Sequence, residues 1–340
     1  MKYTFLSLTL LVVSAMAGAT NAVAAPAKGK PAVAVTATRV EGLDQAEGID
    51  CPKPRFSWQL DASVSNVKQT AYRIRVASSP QLLRKGKADL WDSGRQLSGR
   101  QLYIEYAGQP LASGTRYYYQ IESETTAGSA VSRVGNWLTG LMDRTEWRAQ
   151  WIGGSFDSDV EAPKDRRTRI NARYLRRDFS IAGRVRSAVL YISGLGLYEA
   201  YINGHRIGTQ VLAPGPTNYD REVMYNTFDV TREIRRGANA IGVVLGNGRF
   251  MAMRNPGMRG FGLPRLLAQL VVTTTDGRQT VIATDTSWRM MADGPIQTNN
   301  EFDGERYDAT REMPGWSLAG YDDSRWRKAE RVKTPAPVVR

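Results

Sequence analysis

The chain alternates apolar and polar positions over short stretches and shows almost no helical period. Ala71 to Val76 (AYRIRV) and Arg116 to Glu122 (RYYYQIE) repeat at period two, and Ala130 to Leu138 does so more loosely. That is the spacing of half-buried strands. Gly94, Gly99, Gly108, Gly114 and Gly128 punctuate these runs as turn residues. Roughly five to seven short strands in about a hundred residues, without a helix-length period, predict an immunoglobulin- or fibronectin III-like sandwich. We assign it to residues 36–142, with Trp58 and Trp137 as core aromatics.

Residues 143–152 read as a hinge, and a second β-rich block follows over residues 153–333, leaving a tail at 334–340. Arg173 to Phe179, Ser187 to Ile192 and Leu197 to Ile202 are strand-like, and the last ends in Asn203-Gly204, a two-residue hairpin signal. Phe228 to Thr231 followed by Arg232 to Gly237 suggests one helical turn. Ala240 to Leu245 and Leu266 to Thr275 are apolar strands, and Asp276-Gly277 turns the latter into Gln279 to Ala283. The fold class is therefore all-β: two tandem β-sandwiches, the second larger and jelly-roll-like.

At 340 residues the chain has room for two full cores. Its first residues change the picture. Lys2, the apolar run Phe5 to Ala17 and the small-x-small signal Ala22-Val23-Ala24 form a signal peptide over residues 1–24. The run is too short to span a bilayer. Cleavage after Ala24 leaves a flexible Ala/Pro/Lys lead-in at 25–35, and we expect a periplasmic or extracellular protein with no further membrane span. Cys51 is the only cysteine, which excludes an intrachain disulfide, and the lone His205 excludes a multi-histidine metal site. The net charge of +13 invites a nucleic-acid reading. Yet the arginines are scattered (Arg55, Arg73, Arg116, Arg176, Arg235, Arg278, Arg327) among acidic and polar neighbours, as on a solvated surface, and we expect no nucleic-acid partner.

The densest candidate chemistry is NNEFDGERYDATR, residues 299–311, where Glu301, Asp303, Glu305 and Asp308 fall among aromatic rings. Paired carboxylates in such company suit a glycosidase. On an extended strand Asp303 and Glu305 would share a face about 6–7 Å apart, which permits catalysis without requiring it. Asp303-Gly304 is also turn-like, and the better reading is a solvated loop held by Arg306 and Arg311.

Ordered motifs then point to a family. Pro54-Arg-Phe-Ser-Trp58, Gln69 to Ile74, Trp91 to Gly94 and Trp147 to Ile152 resemble the N-terminal fibronectin-type module of bacterial α-L-rhamnosidases (glycoside hydrolase family 78). Gly196 to Glu199, Ile202-Asn-Gly204, Leu212 to Gly215, Gly246-Asn-Gly248, Asp303-Gly-Glu305 and Pro314-Gly-Trp316 resemble the sandwich that follows it. The resemblance implies the N-terminal accessory half of an enzyme that removes terminal α-L-rhamnose from glycosides by inversion. Catalysis would belong to a missing or separate (α/α) barrel, so this half is expected to be inactive alone, with no required cofactor. Asp303 and Glu305 remain the minor catalytic candidates. In some relatives the second sandwich holds rhamnose with calcium. By that likeness Glu199, Asn203, Asn247 and Asn255 are the sugar-binding candidates, with Asn203 and Asn247 as calcium ligands. Arg249 stands where the family usually has an aromatic, with Phe250 next. The alternative is a stand-alone rhamnose-binding protein without hydrolase activity.

Overall fold

The computed structural model describes residues 32–154, 170–251, 261–300, 304–333 and 338–339, so the expected signal peptide lies outside the described residues. The protein is all-β, and its helices among these residues are single short turns such as Pro80–Arg84.

In the first sandwich one sheet joins Val33–Val40, Arg55–Ala62 and Ile104–Glu105. The facing sheet runs Ala46–Ile49, Gly135–Thr139, Arg116–Thr125, Gln69–Ala77, Trp91–Asp92, with Gly128–Val131 added beside Arg116–Thr125. The strand Arg116–Thr125 buries every second side chain, and Tyr117, Tyr119 and Ile121 enter the core. Trp58 and Trp137 lie fully inside. The Trp58 indole donates to Gln69 Oε1 (3.0 Å), so its one polar atom is satisfied in the interior. Cys51 is half-buried against the same core.

The second sandwich stacks two six-stranded sheets. One, the domain-facing sheet, orders Asn226–Asp229, Val185–Leu195, Arg265–Thr274, Ile152–Gly153 and Glu330–Arg331, with Gln279–Ala283 also on Arg265–Thr274. The other, the groove sheet, orders His205–Ile207, Leu197–Ile202, Gly237–Gly246, Arg173–Ile181, Arg289–Met291 and Arg327–Lys328. Between them Leu190, Ile192, Ile241, Val243, Leu245 and Leu270 pack with Trp288 and Met290. Each fully buried Leu or Ile of this kind contributes about 1.5–3 kcal/mol. Asn203 (φ +49°) and Gly204 (φ +85°) both take the left-handed conformation that a tight type I′ hairpin requires.

Residues 143–152, read from sequence as a hinge, are docked. The Arg148 amide donates to Gln269 Oε1 (2.6 Å), Gln269 Nε2 donates to the Glu146 carbonyl (3.0 Å), and Thr284 accepts and donates at Gln150. Trp147 packs edge-on against Tyr191 and Tyr225. Leu138 and Leu141 of the first sandwich meet Val189 and Tyr191 of the second in one shared cluster. Arg176 corrects a further expectation. Counted among the solvated arginines, it is 1% exposed, because the segment 313–323 folds over it.

Candidate functional site

The outward row of the groove sheet sets the site. On Leu197–Ile202 the side chains of Tyr198, Ala200 and Ile202 enter the core, so Leu197, Glu199 and Tyr201 face out. Register aligns Tyr201, Gly242 and Arg176 across three strands, then Glu199, Val244 and Tyr174, then Leu197 and Gly246. The central strand thus presents small side chains between larger ones, and the surface sinks into a groove. One cavity of about 510 Å³ is lined by Leu197, Glu199, Arg206, Leu212, Gly246 and Glu305, among others. A second of about 790 Å³ is lined by Tyr174, Tyr201, His205, Tyr307 and Trp316, among others.

Trp316 roofs Gly242, where a Cβ would lie 2.5 Å from the indole ring. The ring stands edge-on to Tyr174 (5.2 Å) and Tyr201 (5.5 Å) and lies offset on Trp326 (6.4 Å). Its segment is anchored by Arg176, whose five N–H groups all find acceptors. Nε donates to the Trp316 carbonyl (2.9 Å), one terminal nitrogen to Tyr321 and Asp323, the other to the Leu318 carbonyl (3.0 Å) and Asp178. In the groove itself the Tyr201 hydroxyl donates to Glu199 (2.7 Å) and Arg206 sits 3.2 Å from the same carboxylate. Burial, then the bond to Glu199, pushes the Tyr201 phenol up to about 12, so it remains a donor at neutral pH. Burial also raises Tyr174, helped by Tyr307 and Glu305 nearby.

The expected site residues fare unequally. Glu199 and Glu305 both line the first cavity. Asn255 and Asp303 lie outside the described residues. Asn203 is spent on the neighbouring segment 233–240: Nδ2 donates to the Glu233 carbonyl (2.8 Å) and Asn239 Oδ1 (2.8 Å), and Oδ1 accepts from the Ala240 amide (2.9 Å). Asn247 is buried between Gly246 and Gly248, donating to the carbonyls of Ile170 (2.9 Å) and Asn299 (2.7 Å), while its buried Oδ1 has no partner among the described residues. These two asparagines cannot share a calcium ion. Asn203 follows Ile202 and Asn247 adjoins Leu197, at opposite ends of one strand pair, and five residues of strand span roughly 17 Å. Calcium needs six to eight oxygens at roughly 2.3–2.6 Å. Among the described residues no group of three or more His, Cys, Asp or Glu is placed to hold a metal. Phe250 is likewise no stacking platform, being fully buried against Tyr219 and Phe261.

The carboxylate cluster divides. Glu305 stands on an exposed two-stranded ribbon, Ile296–Asn300 with Gly304–Tyr307. Asp308 caps the following turn, accepting from the Thr310 hydroxyl (2.6 Å) and amide (3.0 Å) and from Arg311 (3.1 Å). Those bonds hold its carboxyl below the usual range, a structural duty. Tyr201, Arg206 and Trp316 are site residues that sequence reasoning missed. The available signal was Gly242 and Gly246 two turns of the pleat apart inside an apolar strand, which marks a close approach.

Two family models match the chain. One described as a Rha78A-like N-terminal immunoglobulin domain covers residues 35–143, and one described as an alpha-L-rhamnosidase N-terminal domain covers residues 183–340. An α-L-rhamnosidase of Formosa agariphila is 35% identical over 305 residues, covering 85% of this chain and 32% of the relative. One of Alteromonas sp. is 34% identical over 310 residues, covering 88% and 33%. Among solved structures, the α-L-rhamnosidase from Dictyoglumus thermophilum superposes with a TM-score of 0.79 at 36% identity, over 90% of this chain and 35% of that one. The Streptomyces avermitilis α-L-rhamnosidase complexed with L-rhamnose gives 0.80 at 25% identity, over 90% and 45%. The chain spans about a third of the length of the curated relatives it matches.

Proposed function

The chain belongs to the α-L-rhamnosidases of glycoside hydrolase family 78 as their N-terminal region, and on that premise we propose an exported accessory half that holds terminal α-L-rhamnose of glycosides without hydrolysing it. The groove carries this reading. An apolar wall beside a few convergent polar groups, here Leu197 and Leu212 with Glu199 and Arg206 in the first cavity, is the make-up of a surface that grips a small neutral ligand. Hydrolysis with inversion asks for more: two carboxyls about 6.5–9.5 Å apart across the sugar, one of them desolvated to keep its proton. The Glu199 side chain is 48% exposed and already occupied by Tyr201 and Arg206, and Glu305 lies on an exposed strand. We therefore assign hydrolysis to a catalytic (α/α) barrel that works with these sandwiches. The features of residues 1–24 support export.

Two measurements on the purified chain test this. Calorimetry with L-rhamnose, with and without calcium, should give heat of binding, and p-nitrophenyl α-L-rhamnoside should release no nitrophenol. Silence at millimolar sugar removes the binding role. Turnover that disappears in Glu305→Gln would replace it with catalysis. The calcium arm tests Asn247, whose buried side-chain oxygen has no partner among the described residues.

A further inference from the structure

Resting on that reading, we propose that the groove holds a second sugar position beyond the rhamnose, so that its ligand is a neutral oligosaccharide. The two cavities share Glu199, Val244 and Ile296 in their walls, so they adjoin on one face of the sheet. Either alone, at about 510 and 790 Å³, falls within the roughly 300–1,000 Å³ of an ordinary small-molecule site. Together they run beyond what a single pyranose would fill.

The second cavity has the surface such a ligand requires. Tyr307 is 51% and Leu318 45% exposed, and both rim this one groove. Large apolar side chains gathered at a cavity mark a binding surface where scattered ones do not. Between them Trp316 is immobilised by Tyr174, Tyr201 and Trp326 and seated on Gly242. A ring fixed before the ligand arrives loses little rotamer freedom on binding, which favours affinity. Rings of this kind stack on the C–H faces of a sugar while neighbouring carboxylates accept its hydroxyls.

Charge selects among sugars. On a chain of net charge +13, the described acidic, basic and imidazole groups lining the two cavities are Glu199, Glu305, Glu312, Arg206 and His205, beside the neutral phenols of Tyr174, Tyr198, Tyr201 and Tyr307. Arg206 is matched by Glu199, and Glu312 accepts from the Tyr307 hydroxyl (2.8 Å). The balance is acidic. A hydroxyl-rich neutral sugar finds acceptors there, whereas a uronate meets like charge.

Calorimetry with three probes decides the matter: L-rhamnose, rutinose (rhamnosyl-glucose) and a rhamnosyl-glucuronic acid disaccharide. Rutinose should bind about tenfold more tightly than rhamnose. Tyr307→Ala, a rim substitution with an unchanged circular dichroism spectrum, should bring rutinose down to the affinity of rhamnose and leave rhamnose itself alone. The acidic disaccharide should bind more weakly than rutinose, and Glu312→Gln should narrow that gap. Equal affinities for rhamnose and rutinose overturn the second position while the rhamnose-holding role stands. Heat from neither overturns both. An acidic disaccharide that binds as tightly as rutinose overturns the neutral-ligand assignment.

Discussion

The two sheets of the second sandwich share one core and differ in what covers their outer faces. On the domain-facing sheet, Val185–Leu195 is buried on both sides from Ala188 onward, because the first sandwich brings Leu138 and Leu141 onto Val189 and Tyr191 and because Leu195 packs with Tyr219 and Phe250. On the groove sheet, Leu197–Ile202 buries only alternate residues. Its cover among the described residues is narrower: the crossing segment 313–323, held by Arg176 and by Met313, Trp316 and Tyr321 packed with Tyr174, and Ile296 of the ribbon, with the groove open beside them. A face closed by many apolar contacts has no single point of failure. A face whose cover converges on one buried guanidinium is more exposed to a single substitution, and that same economy of cover leaves room for a ligand.

The most severe way to break this contrast is Arg176→Met. The guanidinium is 1% exposed and serves five acceptors, two of them carboxylates. Removing one partner of a buried ionic network costs about 3–5 kcal/mol, since the remaining charges and carbonyls lose their donors. Urea unfolding should show that loss. Arg176→Lys should recover only part, because an ammonium offers three donors from a point and cannot reach five acceptors. A loss under about 1 kcal/mol would mean that the segment is held by its tryptophans instead.

Next in size is Gly242→Ala. The added methyl would sit 2.5 Å from the Trp316 ring, which has rings on three sides and cannot retreat. Overpacking of this sort costs about 1–3 kcal/mol. The tryptophan fluorescence should shift as Trp316 lifts, and rutinose affinity should fall with it. An unchanged spectrum and full stability would show that the ring does not depend on the glycine beneath it.

Much of the fold was legible because its cues are local. Period-two alternation in Arg116–Thr125 and the Asn203-Gly204 turn act within a few residues, and the structure carries both. Of the candidate site, the sequence singled out Glu199 and Glu305, and both line the first cavity, while their roles there belong to the proposal. Asn203 and Asn247 look alike in sequence, each in an Asn-Gly pair, and only strand register sends them to opposite ends. Arg176 resembled its surface neighbours because the segment that buries it begins more than a hundred residues later. Trp316 joins Tyr201 by the same long-range closure. Neither signal exists in any local window.

The smallest expected effect sharpens the domain-facing side. Arg116 of the first sandwich lies 2.9 Å from Glu47 and 3.2 Å from Asp229 of the second, one of the polar ties at that interface. Burial alone would raise the Asp229 carboxyl, but the Thr231 hydroxyl and amide, with Arg116, outweigh it and hold the group below the ordinary carboxylate range. A folded value below the unfolded one contributes stability above the ordinary Asp range, and that contribution is lost as pH falls through the lower folded value. Asp229→Asn should therefore cost less than about 1 kcal/mol at pH 7, as expected for a half-exposed pair. Its stability should also fall less steeply than the parent's from about pH 4 downward. Urea midpoints between neutral and acid pH measure both. If the variant and parent curves stay parallel into acid, the charge of Asp229 contributes nothing to the interface, and the apolar cluster around Tyr191 holds the two sandwiches together by itself.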